Sequence, residues 1–280
     1  MKLIADSGST KIDWCVLDGK EMVARVFTCG MNAMMLTEEE MASTIKNELV
    51  PHLKGVTITE VYYYGAGCLG DNICNNVKNA IKSNFPTAQE IMVASDLLAA
   101  ARALCGDKPG IACILGTGSN SCYYDGTRIV ENISPLGYIL GDEGSGAVLG
   151  KLLVGDVLKR QIPQHLVEKF MQQFELTPQL IIENVYRKPG ANKFLASLSP
   201  FLAQNIEEPS IHRLVLNAFK AFFVRNVENY EGYKELPVNF VGSIACHYKD
   251  VLEEAAKALY INIGTIIKSP MEGLIKYYSR

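Results

Sequence analysis

The sequence predicts an α/β protein that builds one plan twice. Three observations predict it. Residues 3–19 and 111–126, about 110 positions apart, both run from an apolar strand through a small polar loop and an alternating strand to Asp-Gly. Around them, β-rich runs alternate with segments of helical period. A length of 280 residues also suits two domains of roughly 100 to 150 residues, each with its own core. A repeated glycine-rich hairpin predicts two loops facing each other across a cleft.

In the first copy, Leu3-Ile4-Ala5 leads into Asp6-Ser7-Gly8-Ser9-Thr10, alternation resumes at Ile12, Trp14 and Val16, and Asp18-Gly19 turns the chain. Gly8 lets the backbone come close to a ligand, Ser7, Ser9 and Thr10 add hydroxyls, and Asp6 offers a carboxylate to a hard cation such as Mg²⁺. Read alone, the stretch also fits an ordinary hairpin with a solvated Asp. Residues 22–27 alternate as a third strand, and Gly30-Met31-Asn32 forms a loop. Thr37-Glu38-Glu39-Glu40 has the form of a capping box for a helix over 38–49 that stops at Pro51. Residues 56–64 are β-rich and run into Gly65-Ala66-Gly67, at a strand end where open α/β sheets bind ligands. A helix over 71–84 presents Ile73, Val77, Ala80 and Ile81, and 90–94 is the next strand. Ser95-Asp96 then places an acid at a strand-to-helix junction, where helix-dipole stabilisation alone would account for it.

The second copy has its strand over 111–115, the loop Gly116-Thr117-Gly118-Ser119-Asn120, and Asp125-Gly126 at the turn. Such a loop can give backbone N–H groups to phosphates without a charged side chain. Gly141-Asp142-Glu143-Gly144-Ser145-Gly146, three glycines in six residues, argues for a close ligand ahead of a helix over 147–158. Residues 163–230 read as helices broken at Pro178, Pro189-Gly190 and Pro209, with Leu198, Phe201, Leu202, Leu214, Ala218, Ala221 and Phe222 as core stripes. Residues 238–241 form a strand ending at Gly242-Ser243, where a flat base can lie on the backbone. A helix over 249–260, a strand over 261–267 and a helix over 271–278 complete the chain. The expected domains are 1–108 and 109–280. The second carries a helical insertion over 150–232, and the last helix, 270–280, packs back on the first.

Composition excludes several functions. Net charge is −3, and no Lys/Arg block exceeds two residues, so nothing resembles a stripe for nucleic acid. The N-terminus is no signal peptide, and no apolar run nears the ~20 residues of a membrane helix, which predicts a cytoplasmic protein without membrane partners. Eight cysteines include no Cys-x-x-Cys pair and read as reduced thiols in apolar segments. The four histidines are scattered.

With these motifs in hand, nearly the whole chain resembles the actin, hexokinase and heat-shock-ATPase superfamily. Within it, the chain is similar to the N-acetylglucosamine kinase-like proteins of the BadF/BadG/BcrA/BcrD ATPase family. The resemblance implies two duplicated ribonuclease H-like domains, mixed five-stranded sheets flanked by helices, with an active-site cleft between them. It implies ATP and Mg²⁺ as cofactors and an amino sugar as substrate, and it leaves a homodimer open. Asp6 would hold the metal. Gly8, Ser9, Thr10, Lys11, Gly116, Thr117, Gly118 and Ser119 would cradle phosphates, and Gly242 and Ser243 would border the adenosine. Asp96 would be the general base. Asn32, Asp142, Glu143 and Asn120 would contact the sugar. Ser134-Pro135-Leu136-Gly137 stands where related kinases often show Gly-Gly-Trp-Gly, and no proline follows Asn32. Two rival readings share the motifs: an ATPase that activates a dehydratase through an Fe–S cluster, with Cys29, Cys68 and Cys122 as candidate thiolates, and a non-catalytic sugar sensor.

Overall fold

The structure, a computed structural model, describes residues 1–8, 11–68 and 70–280. The chain folds as two units, one of residues 1–108, 126–128 and 269–280, the other of 109–125 and 129–268.

The first unit holds strands β1 (Lys2–Ser7), β2 (Lys11–Asp18), β3 (Glu21–Cys29), β4 (Glu60–Gly65) and β5 (Glu90–Ser95). Their order in the sheet is β3-β2-β1-β4-β5. The first three form an antiparallel meander, and β4 and β5 run parallel to β1. Gly19 at φ +58° supplies the left-handed turn between β2 and β3. Alternation along the strands sends Leu3, Ala5, Trp14, Val16 and Tyr63 to one face, beneath Met41, Ile45, Val77 and Ile81 of two covering helices. It sends Ile4, Cys15, Leu17 and Tyr64 to the other, beneath Ala99, Met271, Leu274 and Tyr278.

Thr37 caps the helix Glu38–Thr44 in a complete capping box. Its Oγ1 accepts from the Glu40 N–H at 3.2 Å, and the Glu40 carboxylate accepts from the Thr37 N–H at 2.8 Å. The helix expected over 38–49 is α-helical only to Thr44 and widens into a π-helix at Ile45–Leu49 before Pro51. That turn keeps both Ile45 and Leu49 in the core. The strand expected over 56–64 begins only at Glu60. Thr59 instead donates its N–H to the Met1 carbonyl at 2.9 Å.

The second unit holds β6 (Gly110–Leu115), β7 (Ser119–Tyr124), β8 (Ile129–Glu131), β9 (Val238–Val241) and β10 (Ile263–Ile267), ordered β10-β9-β6-β7-β8. Read from its other edge, this is the order of the first sheet, with the same antiparallel meander and parallel pair. The plan is duplicated, as the sequence repeat predicts. Between β8 and β9 lies a helical stretch that includes Gly146–Leu158, Gln164–Gln173, Pro178–Tyr186, Ala191–Leu198 and Pro209–Arg225. Pro178, Pro200 and Pro209 each open a helix, where the missing N–H costs nothing. Phe170, Phe201, Phe219, Phe222, Phe223 and Phe240 fill the core beneath.

The helix Gly146–Leu158 needs a glycine at its crossing point with Ala191–Leu198. A Cβ on Gly150 would run into the Leu195 carbonyl, a backbone atom that cannot swing away. Gly150→Ala should therefore destabilise by about 1 to 3 kcal/mol through overpacking, although an exposed helix would gain roughly 1 kcal/mol from the same change. A thermal melt checks this, and an unchanged or raised Tm would contradict it. Among the described residues, no helix is long and apolar enough to cross a membrane.

Candidate functional site

In the first unit, β1, β4 and β5 end level, because Ser7 pairs with Gly65 and Gly65 with Ser95. Asp6 lies one residue before this edge and Asp96 one after it. Burial, then the charges of Asp13 and Asp96, push the Asp6 carboxyl up to about 7, with Lys11 pulling it back in part. Burial also pushes Asp96 up, against the backbone N–H groups of Leu97 and Asp96 itself. The helix Asp96–Cys105 is capped by Ser95, whose Oγ accepts from the Leu98 N–H at 3.3 Å. Asp96 is thus not needed as the cap. It is a desolvated acid just past a strand end, its carboxyl held above the usual carboxylate range by burial, the kind of perturbed group that marks a candidate site.

Around this pair, Gly8 is exposed and donates its N–H to the Lys11 carbonyl at 3.0 Å, which closes the loop. Ser9 and Thr10 lie outside the described residues. Lys11 is exposed, with its ammonium 5.1 Å from the Phe27 ring centroid. Asn32 sits in an Asx turn, its Oδ1 accepting from the Met34 N–H at 3.1 Å. Gly67, at φ +80°, packs against Met34 and Asn32, so the loop after β4 adjoins the loop after β3. One reading changes. The Ser7 hydroxyl is not a phosphate ligand, because strand alternation turns it away from Asp6 into the core. There it accepts from the Tyr63 hydroxyl at 2.7 Å and donates to the Met31 carbonyl at 3.4 Å.

In the second unit, Gly116 donates its N–H to the Gly118 carbonyl at 2.9 Å to close the loop between β6 and β7. The helix Gly146–Leu158 starts against this loop. Gly146 donates to the Gly116 carbonyl at 2.8 Å and Ala147 to the Thr117 carbonyl at 3.0 Å. Asp142, at φ +53°, presses its carboxylate on Gly118, where an added Cβ would lie 3.0 Å from Oδ2. Burial pushes its carboxyl up, and the Ser119 backbone N–H, which donates to it, pulls it back. Glu143 accepts from Arg225 Nε and, at 3.4 Å, from Asn226 Nδ2, which anchors the same segment to the helix Pro209–Arg225. Asn120 Oδ1 accepts from the Ser121 N–H and from Asn132 Nδ2, each at 2.9 Å.

Gly242 has φ +131°, and a Cβ there would meet the carbonyl of Leu115, the last strand residue before the loop between β6 and β7. The next residue, Ser243, is exposed and opens the short helix Ser243–His247. Gly116, Thr117, Gly118, Ser119, Asp142, Gly242 and Ser243 therefore form one neighbourhood. Of the cysteines considered above, Cys68 and Cys122 are buried and Cys29 is exposed.

Two residues of the first unit escaped the sequence reading. Asp13 pairs with Asp6 across β1 and β2 and is buried, and Arg25 grips both of its carboxylate oxygens. The signal was an acid on the inward face of β2, sharing that face with Cys15 and Leu17.

Two sheets of duplicated order, each ending in a glycine-closed loop, define an actin-like ATPase fold. Neither a protein-family model nor a curated protein matches the chain. Among solved structures, a candidate N-acetylglucosamine kinase from Porphyromonas gingivalis is 49% identical, with TM-score 0.95 over 100% of this chain and 99% of that one. The chain belongs to this family of N-acetylglucosamine kinase-like proteins. A second candidate N-acetylglucosamine kinase, from Chromobacterium violaceum, is 19% identical with TM-score 0.76, covering 99% of this chain and 98% of that one. A ROK family glucokinase from Streptomyces griseus, solved with glucose and AMPPNP, is 13% identical with TM-score 0.59, covering 99% and 97%. These last two share the fold.

Proposed function

We propose that the chain is an ATP-dependent kinase acting on the 6-hydroxyl of N-acetylglucosamine or a close amino sugar. The observation that carries this is the level ending of β1, β4 and β5, which brings two desolvated acids, Asp6 and Asp96, to one strand edge.

Asp6 suits a magnesium ion. Its neighbour across the hairpin, Asp13, is already held by Arg25, and among the described residues no group of three or more His, Cys, Asp or Glu is poised to cage a metal. Magnesium favours one or two carboxylates and completes its octahedron with water and substrate phosphates. When bound, it would supply positive charge to the phosphate oxygens as the bond to the leaving oxygen breaks.

The chain's own groups do the rest. Backbone N–H groups and hydroxyls of Ser9, Thr10 and Thr117, the Lys11 ammonium, the Gly118 N–H and the Ser119 hydroxyl orient the phosphates, while Gly8 and Gly116, whose own N–H groups close their loops, let the backbone come near. Gly242 and Ser243 border the adenosine. Asn32 and Asp142, with Asn120 and Glu143, hold the sugar. Asp96 accepts the proton of the sugar hydroxyl as its oxygen forms a bond to the γ-phosphorus and ADP leaves. Positioning and charge carry most of such a reaction.

The test is ADP release with ATP and Mg²⁺ over N-acetylglucosamine, glucosamine, N-acetylmannosamine and N-acetylmuramate. Release stimulated by one or more of these sugars supports the kinase, and release indifferent to all of them contradicts it. Asp142→Ala should lower kcat/KM for the sugar about tenfold or more, the cost of leaving a buried partner unpaired. Unchanged sugar kinetics would remove Asp142 from the acceptor site.

A further inference from the structure

Asp6 and Asp13 are cross-strand partners in the hairpin of β1 and β2, so both carboxylates stand on one face of the sheet. Directly opposite side chains place their Cβ atoms about 5 Å apart, and like charges so paired are destabilising. The fold compensates one of them. Arg25 on β3 donates from Nε to Asp13 Oδ1 at 3.0 Å and from Nη2 to Oδ2 at 2.7 Å. Its Nη1 donates to Glu272 Oε1 at 2.6 Å, on the helix Met271–Tyr278. A guanidinium fork used on both prongs fixes its partner far more firmly than a single ammonium does. Asp13, only 6% exposed, is thereby locked. Among the described residues, no cation grips Asp6 in this way, and the nearby positive charge it feels is that of Lys11.

We infer that Arg25, oriented by Glu272, keeps Asp13 out of a divalent cation's reach, so that Asp6 alone of the facing pair binds the ion. This rests on reading Asp6 as the cation ligand. Its consequence is a weakly held ion in the absence of nucleotide, because affinity for a hard cation rises with the number of carboxylates that reach it. Asp13, released, would join Asp6 as a second carboxylate and hold the ion without any phosphate. Arg25 and Glu272 are then positioning residues whose effect appears in metal affinity.

The experiment is a titration of nucleotide-free protein with Mn²⁺ alone, followed by electron paramagnetic resonance, beside thermal melts. Arg25→Met should raise Mn²⁺ affinity roughly tenfold over wild type. The double variant Arg25→Met with Asp13→Asn should lose that gain, and Arg25→Lys should fall between wild type and Arg25→Met. If Arg25→Met does not melt cooperatively, Arg25→Gln, which can still hydrogen-bond Asp13 but carries no charge, should shift affinity in the same direction. A folded Arg25→Met or Arg25→Gln with unchanged or weaker Mn²⁺ affinity overturns the inference, as does a gain that survives in the double variant. Because the readout needs neither sugar nor ATP, a gain in Mn²⁺ affinity in a protein that phosphorylates no sugar would sink the kinase reading and uphold this inference.

Discussion

Asp96→Asn should lower kcat by about 10²- to 10⁴-fold, the usual contribution of a general base, with folding and nucleotide affinity nearly unchanged. Asn is almost isosteric with Asp but cannot take the hydroxyl proton. The structure sharpens this test, because the rival role for the residue is already filled. Ser95 caps the helix Asp96–Cys105 through its own hydroxyl, so the Asn variant loses no cap. Nor does it lose much dipole stabilisation, which is worth roughly 0.3 to 1 kcal/mol for an acid in a first turn. Burial has pushed the Asp96 carboxyl up, which makes it a stronger proton acceptor than an exposed Asp. Coupled ADP release with N-acetylglucosamine as acceptor, beside melts of both proteins, reads the effect. Equal turnover in variant and wild type would end the general-base assignment.

Gly118→Val should abolish nucleotide binding while leaving the core intact. The reason is not the left-handed backbone that a glycine in such a loop invites one to expect, since Gly118 lies outside that region. It is crowding. A Cβ would already stand 3.0 Å from Asp142 Oδ2, and the γ-methyls of valine extend further. The carboxylate would be driven off the Ser119 N–H, and the loop would give up the shape that its bond from Gly116 to Gly118 maintains. A partly buried acid that loses its hydrogen bond costs about 1 to 3 kcal/mol, enough to open the loop. Calorimetric titration with ATP and Mg²⁺ on folded variant protein tests this. Wild-type affinity would mean that the loop is a plain hairpin turn.

Local chemistry made both hairpins legible. Apolar alternation, glycine loops and Asp-Gly turns act over a few residues, so β1, β2, β6 and β7 fall where the pattern puts them. The capping box at Thr37 and the proline-opened helices were readable for the same reason. Partners distant along the chain were not. No local pattern announces that Asp142 will lie on Gly118, or that Arg25 will clasp Asp13 from the next strand and Glu272 from the last helix. The π-helix at Ile45–Leu49 was hidden too, because its cause is the core that Ile45 and Leu49 both enter. Ser7 shows the opposite error. A hydroxyl within a phosphate-like motif looked available, yet period-two alternation had already committed it to the buried face with Tyr63.

The central claim, phosphoryl transfer from ATP to an amino-sugar hydroxyl, is tested most directly by phosphorus NMR of the reaction with ATP, Mg²⁺ and N-acetylglucosamine. The account predicts a phosphomonoester signal correlated with the protons on carbon 6 of the sugar, growing in step with ADP. Inorganic phosphate appearing with ADP in place of that ester, at a rate indifferent to the sugar, would contradict it.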